Sequence, residues 1–146
     1  MPTYRKELHF CTSRTSEILN ITDQVEGAVA ESSIQEGMAL VYPMHTSSAV
    51  YVSDSDYSLT QDFADLLDEL VPAVREYRHD RTDYKKNATG HLKAILSGHS
   101  VTLPITAGRL DLGTYQTLYY FEFDGKRPKE VLVKILGDRE SGEIRP

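Results

Sequence analysis

Segments rich in β-branched and aromatic residues crowd the two ends of the chain, while apolar positions at helical spacing are confined to its middle. Leu8, Phe10 and Thr12 fall on one side of an extended segment, with His9 and Cys11 on the other, which predicts a first strand. Residues 38–43 and 48–53 have the composition of buried strands and are separated by a short polar turn. Residues 101–105, 114–123 and 130–136 follow near the C-terminus, broken at Gly108, Gly113 and Asp124-Gly125. A helix opens near Ile21, where Thr22 or Asp23 can cap free amides and Glu26 resembles the second half of a capping box; it ends before Glu36-Gly37. Asp62, Phe63, Leu66, Leu67, Leu70 and Val71 predict a second helix stopped by Pro72, and residues 87–96 a third closed by Gly98. Strands at both ends without regular βαβ alternation exclude Rossmann and TIM arrangements. The expected fold is α+β, one domain over residues 1–146, with a mixed, largely antiparallel sheet (half-barrel or sandwich-like) and about three helices.

Composition narrows the function classes. At 146 residues with 40% hydrophobic and 26% charged residues, the chain suits a single well-buried core. Its longest uncharged apolar stretch, starting at residues 38–43, is far short of the roughly 18 to 20 residues a bilayer span requires. Sixteen Lys and Arg against twenty-two Asp and Glu give a net charge of -6, which repels a phosphate backbone on average and argues against nucleic acid as a partner. The single cysteine, Cys11, allows no intrachain disulfide, and the N-terminus shows no signal-like apolar run, so the chain reads as cytoplasmic.

Histidines are the first candidates for chemistry, because a neutral imidazole both ligates metals and titrates near physiological pH. His45 lies in the polar turn beside Thr46, Ser47 and Ser48, either as a ligand or acid–base group or as a turn residue bonded to its neighbours. Asn87 precedes His91 by four residues, so a helix would stack the two on one face, although Ala94 and Ile95 show that this face also borders the core. His79 precedes Asp80, which can orient an imidazole, within a charged loop. Strand alternation sets Gln116, Leu118, Tyr120 and Glu122 on one face, leaving Glu122 in apolar company, where it acts as a base, pairs with Lys126 or Arg127, or points out to water. Phosphate-cradling glycine loops, the G-x-S-x-G elbow and the zincin histidine pair are all absent.

The stretch Ser100-Val-Thr-Leu-Pro104, followed by Gly108-Arg-Leu-Asp-Leu-Gly-Thr-Tyr-Gln116, resembles the signature of the secondary thiamine-phosphate synthase (YjbQ-like) family. His45-Thr46, the segment 77–80 with His79, Asn87 with His91, and Glu122-Phe-Asp-Gly125 with Arg127 resemble that family's landmarks in order, so the likeness spans nearly the whole chain. Tyr115 stands where the family usually has Trp, Gly90 where Ala is common, Lys126 where Pro is usual, and Ser53-Asp54 where an Asn-Glu pair is frequent. The resemblance implies a homotrimer with a polar pocket near subunit boundaries that takes a phosphorylated small molecule; the short apolar stretches already argue against a membrane partner. It implies thiamine-phosphate synthase-like transfer, joining an aminopyrimidine diphosphate to a thiazole phosphate with release of pyrophosphate. A divalent metal ion, Zn or Mg, would sit on His45, His79 and His91. Glu122, Asn87 and Gln116 would be catalytic, and Thr46 and Arg127 would bind substrate. The alternatives are a metal-dependent hydrolase and a non-catalytic metal or small-ligand binding trimer.

Overall fold

Strand-forming residues at both ends of the chain meet in two antiparallel sheets of a single α+β domain. The computed structural model describes residues 1–140. In chain order the elements are β1 (Thr3–Phe10), β2 (Glu17–Asn20), α1 (Thr22–Ser32), β3 (Glu36–Pro43), β4 (Ser48–Asp54), α2 (Tyr57–Leu70), α3 (Arg78–Thr82), α4 (Ala88–Ser97), β5 (Val101–Thr106), β6 (Arg109–Leu110), β7 (Gln116–Glu122) and β8 (Lys129–Asp138). One sheet has the order β1-β8-β3-β5-β6 and the other β2-β7-β4. Together they form a curled, half-barrel surface. Every strand pair among the described residues is antiparallel, so the mixed pairing left open by the sequence is not used.

The principal core lies between the sheets and under α1. Val131, Val133 and Ile135 of β8, Ala39 and Val41 of β3, and Val25 and Val29 of α1 are fully buried, alongside Leu118 and Tyr120 of β7. Each Val, Ile or Leu among them contributes about 1.5–3 kcal/mol by leaving water. A second cluster, Ala49, Leu67, Ala94, Phe121 and Phe123, sits on the other face of the three-stranded sheet beneath α2 and α4. Apart from its first residue, β7 is therefore buried on both sides, which explains why its sequence runs apolar instead of alternating.

Helix boundaries follow local chemistry that spacing alone did not resolve. The capping box expected at Asp23 and Glu26 does not form: Asn20 Oδ1 accepts from the Thr22 amide at 3.1 Å. Glu26 instead accepts from the Leu110 amide at 3.2 Å, tying α1 to β6. At α2, Asp56 caps the Ser58 amide at 2.9 Å, so the helix begins five residues before the apolar spacing becomes regular, and it stops at Leu70 ahead of Pro72. The segment containing His79, expected as a loop, forms the short helix α3 and raises the helix count to four. Among the described residues no helix is long and apolar enough to cross a membrane.

Candidate functional site

Three elements converge on residues 44–47, the turn between β3 and β4. The start of β8 grips it from one side: the Met44 amide donates to Glu130 O at 3.0 Å, and the Glu130 amide donates to His45 Nε2 at 2.9 Å. The end of β7 holds it from another, through the Phe123 amide and Ser47 O at 2.9 Å. The first turn of α4 closes the third side. Gly90 permits that approach, since a Cβ there would lie 3.3 Å from Ser47 Oγ and 3.4 Å from Phe123.

Hydrogen-bond partners determine which nitrogen of each ring is available. His91 Nδ1 lies 3.2 Å from Thr46 O and 2.7 Å from Ser47 Oγ. A carbonyl oxygen only accepts, so Nδ1 carries the proton and Nε2 keeps an open lone pair. His45 is arranged the other way: its Nε2 accepts a backbone N–H, so its proton is on Nδ1 and its lone pair is occupied. Burial, reinforced by the Lys129 charge, pushes the His45 pKa below its ordinary value, which favours this neutral ring. His79 Nε2 faces Asn87 Oδ1 at 3.1 Å and Asp83 Oδ2 at 3.5 Å, two acceptors that place its proton on Nε2. The His79 and His91 rings meet edge to face, 5.0 Å between centroids.

Glu122 is completely buried and faces three donors. Tyr120 Oη donates to it at 2.6 Å, the Asp124 amide at 3.1 Å and Lys129 Nζ at 3.1 Å. The cation partner is thus Lys129, not Lys126 or Arg127; Arg127 pairs with Asp124. Glu122 does not itself line the neighbouring cavity; its partners Lys129 and Asp124 do. Burial and the bond to Glu122 together push the Tyr120 phenol upward.

Three depressions meet at His91. One, of about 420 Å³, is lined by His45, Thr46, Ser47, Asn87 and His91 with Lys85, Arg127 and Lys129. A second, of about 680 Å³, runs from His91 and His79 past Arg75, Arg78 and Arg81. A third, of about 450 Å³, is mostly apolar and shares Met44, His45, Thr46 and His91 with the first. Six of the sixteen basic residues of this acidic chain therefore stand around one imidazole. Asn87, the N-cap of α4, brings the positive end of that helix to the same place.

The sequence-predicted residues divide accordingly. His45, Thr46, Asn87, His91 and Arg127 line one cavity, and His79 borders the next through its contacts with Asn87 and His91. Gln116 is not brought to them within this chain. It sits at the opposite end of β7 from Glu122, about 20 Å away at strand rise, and its Oε1 accepts from the Gly113 amide at 2.8 Å. Among the described residues, no group of three or more His, Cys, Asp or Glu side chains is arranged to hold a metal ion. With the His45 lone pair occupied as well, the three-histidine donor set does not fit a metal centre within one chain. Sequence reasoning passed over Lys129, Lys85 and the role of Ser47. Lys129 was legible in principle, because it shares a strand face with Val131, Val133 and Ile135, which marks a buried lysine.

Comparison with known proteins gives consistent likenesses. The family model described as "UPF0047 protein YjbQ-like" matches residues 6–138. A UPF0047 protein from Archaeoglobus fulgidus is 42% identical over 130 residues, covering 89% of this chain and 99% of its own. The UPF0047 protein YugU of Bacillus subtilis is 33% identical over 134 residues, covering 90% and 98%. Among solved structures, a YbjQ-like protein of unknown function from Sulfolobus solfataricus superposes with a TM-score of 0.88 at 31% identity, covering 94% of this chain and 99% of that one. A YjbQ/UPF0047 protein from Clostridium acetobutylicum gives 0.83 at 36% identity, covering 90% and 99%. These findings correct the activity implied by the sequence resemblance. The match is to a family of unknown function, and neither the family description nor the relatives' names point to thiamine-phosphate synthesis or to transferase chemistry.

Proposed function

We propose, given that the chain belongs to the YjbQ-like UPF0047 family, that its site binds a small phosphate-bearing molecule and presents His91 Nε2 to it as a proton acceptor or donor. The observation that carries this reading is the tethering of His91 Nδ1 to Thr46 O and Ser47 Oγ, which leaves Nε2 open where the cationic depressions meet. A neutral imidazole held in one tautomer by a backbone carbonyl is prepared for acid–base work, because no proton has to be rearranged before reaction. Lys85, Arg75 and Arg78 form no ion pair among the described residues and supply uncompensated positive charge. Arg127 is paired only with Asp124 at the cavity wall and offers its remaining donors to a phosphate oxygen. The net negative surface elsewhere restricts binding to this neighbourhood and disfavours polyanions that extend beyond it.

Two further expectations belong to the same reading. The apolar stripe of Leu59, Leu66 and Leu70 on α2, exposed in the single chain, is covered by other copies in a homotrimer. With Cys11 as its only cysteine, the protein works in the cytoplasm. Titration with inorganic phosphate, followed by ³¹P and imidazole ¹⁵N NMR, tests the binding. Saturable millimolar binding that perturbs His91 Nε2 and weakens about tenfold in Arg127→Ala is expected. Absence of saturable binding, or binding indifferent to Arg127 and His91, would refute it.

A further inference from the structure

The apolar depression beside the site belongs to the same ligand. We infer that the phosphate-bearing molecule is an aryl phosphate, its ring seated against Tyr42, His99 and Ile95 while its phosphate lies between Arg127 and Lys85. This inference rests on the binding reading above and specifies its substrate class.

Continuity is the first support: Met44, His45, Thr46 and His91 line both depressions, so a molecule occupying one projects its remaining atoms into the other. The walls are the second. Apart from the shared residues, the apolar lobe is made by Tyr42, Pro43, Ala94, Ile95, His99 and Ser48. Tyr42 and His99 already meet edge to face with centroids 4.5 Å apart, a corner of ring faces and edges that accommodates another flat ring more readily than a flexible chain. Exposure is the third. Ile95 is 75% and Met44 47% exposed, an apolar lip directly beside a polar cavity. Each lobe falls within the volume range of small-molecule sites, and a phosphate alone would leave the apolar lobe wet. The tethered His45 ring lines both lobes and carries its proton on Nδ1.

The experiment compares inorganic phosphate with phenyl phosphate by calorimetric titration of the full chain, in the wild type and in Ile95→Asp, with sedimentation velocity on both proteins. Ile95 is exposed, so the change leaves folding intact. Phenyl phosphate is expected to bind at least about tenfold tighter than inorganic phosphate. Ile95→Asp should erase that gain while leaving inorganic phosphate within about twofold of the wild type. Equal affinity of the two probes, or a gain that survives Ile95→Asp, overturns the aryl assignment and leaves the phosphate site standing. Failure of both probes to bind overturns the two readings together. A smaller sedimenting species for Ile95→Asp would show instead that a second copy of the chain covers this lobe, and would also overturn the assignment.

Discussion

Replacing Glu122 with Gln should unbalance the whole wall of the site. Glu122 is 0% exposed and its partner Lys129 is 7% exposed, so neither charge is screened by water. The amide side chain keeps an oxygen for Tyr120 but removes the negative charge from Lys129 Nζ, 3.1 Å away, leaving a buried cation uncompensated. Breaking one partner of a buried, hydrogen-bonded pair costs about 3–5 kcal/mol, and because Gln retains part of the network the lower figure applies, about 3 kcal/mol. For a chain of this size that lowers the melting temperature by roughly 6–12 °C. Urea unfolding of Glu122→Gln, Lys129→Met and the double variant gives the coupling directly. The double variant should be less destabilised than the sum of the two by about 1 kcal/mol or more. A single-variant cost under about 1 kcal/mol, or a cycle additive within about 0.5 kcal/mol, would refute the view that this pair is desolvated and coupled. The same change removes a nearby negative charge that favours protonated His45, so the His45 pKa should fall further, a shift that imidazole NMR reads independently of stability.

The remaining predictions probe the turn, the sheet and the helix. His45 has a folded pKa below its unfolded value of about 6.5, so its neutral ring carries no stability penalty above that pH, and stability falls as pH drops from there to the lowered folded value. Unfolding free energies at pH 7.5 and 5.5 should show this loss, and His45→Asn should flatten it; an unchanged slope would remove His45 as its source. At pH 8, ¹⁵N spectra should show His91 protonated on Nδ1 and bare on Nε2, and Ser47→Ala should cost about 1 kcal/mol; the opposite tautomer would contradict the geometry of the site. Gly37→Ala should destabilise by about 3 kcal/mol, because its Cβ would lie 2.1 Å from Leu136 O where β3 and β8 meet at the Gly37–Gly137 pair. Gly27→Ala, in α1 with nothing within 4 Å of the added carbon, should instead stabilise by about 0.5–1 kcal/mol; equal effects at the two positions would refute the contrast. Both are read from urea midpoints.

What the chain carries locally was readable locally. Strand-forming composition marks β3, β4, β5 and β8, and helical spacing with Pro72 and Gly98 marks α2 and α4, because each signal depends on neighbours within a turn or two of chain. The four-residue β2 offered too short a pattern to be seen, and α3 is a single helical turn whose side chains are all charged or polar. The four-residue spacing of Asn87 and His91 becomes a backbone bond in the first turn of α4, while the Asn87 side chain meets His79 and the His91 ring meets Thr46 and Ser47, partners the spacing did not indicate.

Composition and periodicity by themselves determined an α+β chain with one cysteine, an acidic balance and a set of polar candidates, since those properties reside in residue types and short spacings. Tertiary structure alone decided which lone pairs stay open and which charges are paired. His45 meets Glu130 across 85 residues and His91 meets Ser47 across 44, and no local rule anticipates a partner that distant. Burial then gives those pairings their strength. Glu122 and Lys129 are a matched pair because the closing of β7 and β8 around them excludes water, and the same two residues in an open turn would be an ordinary surface ion pair.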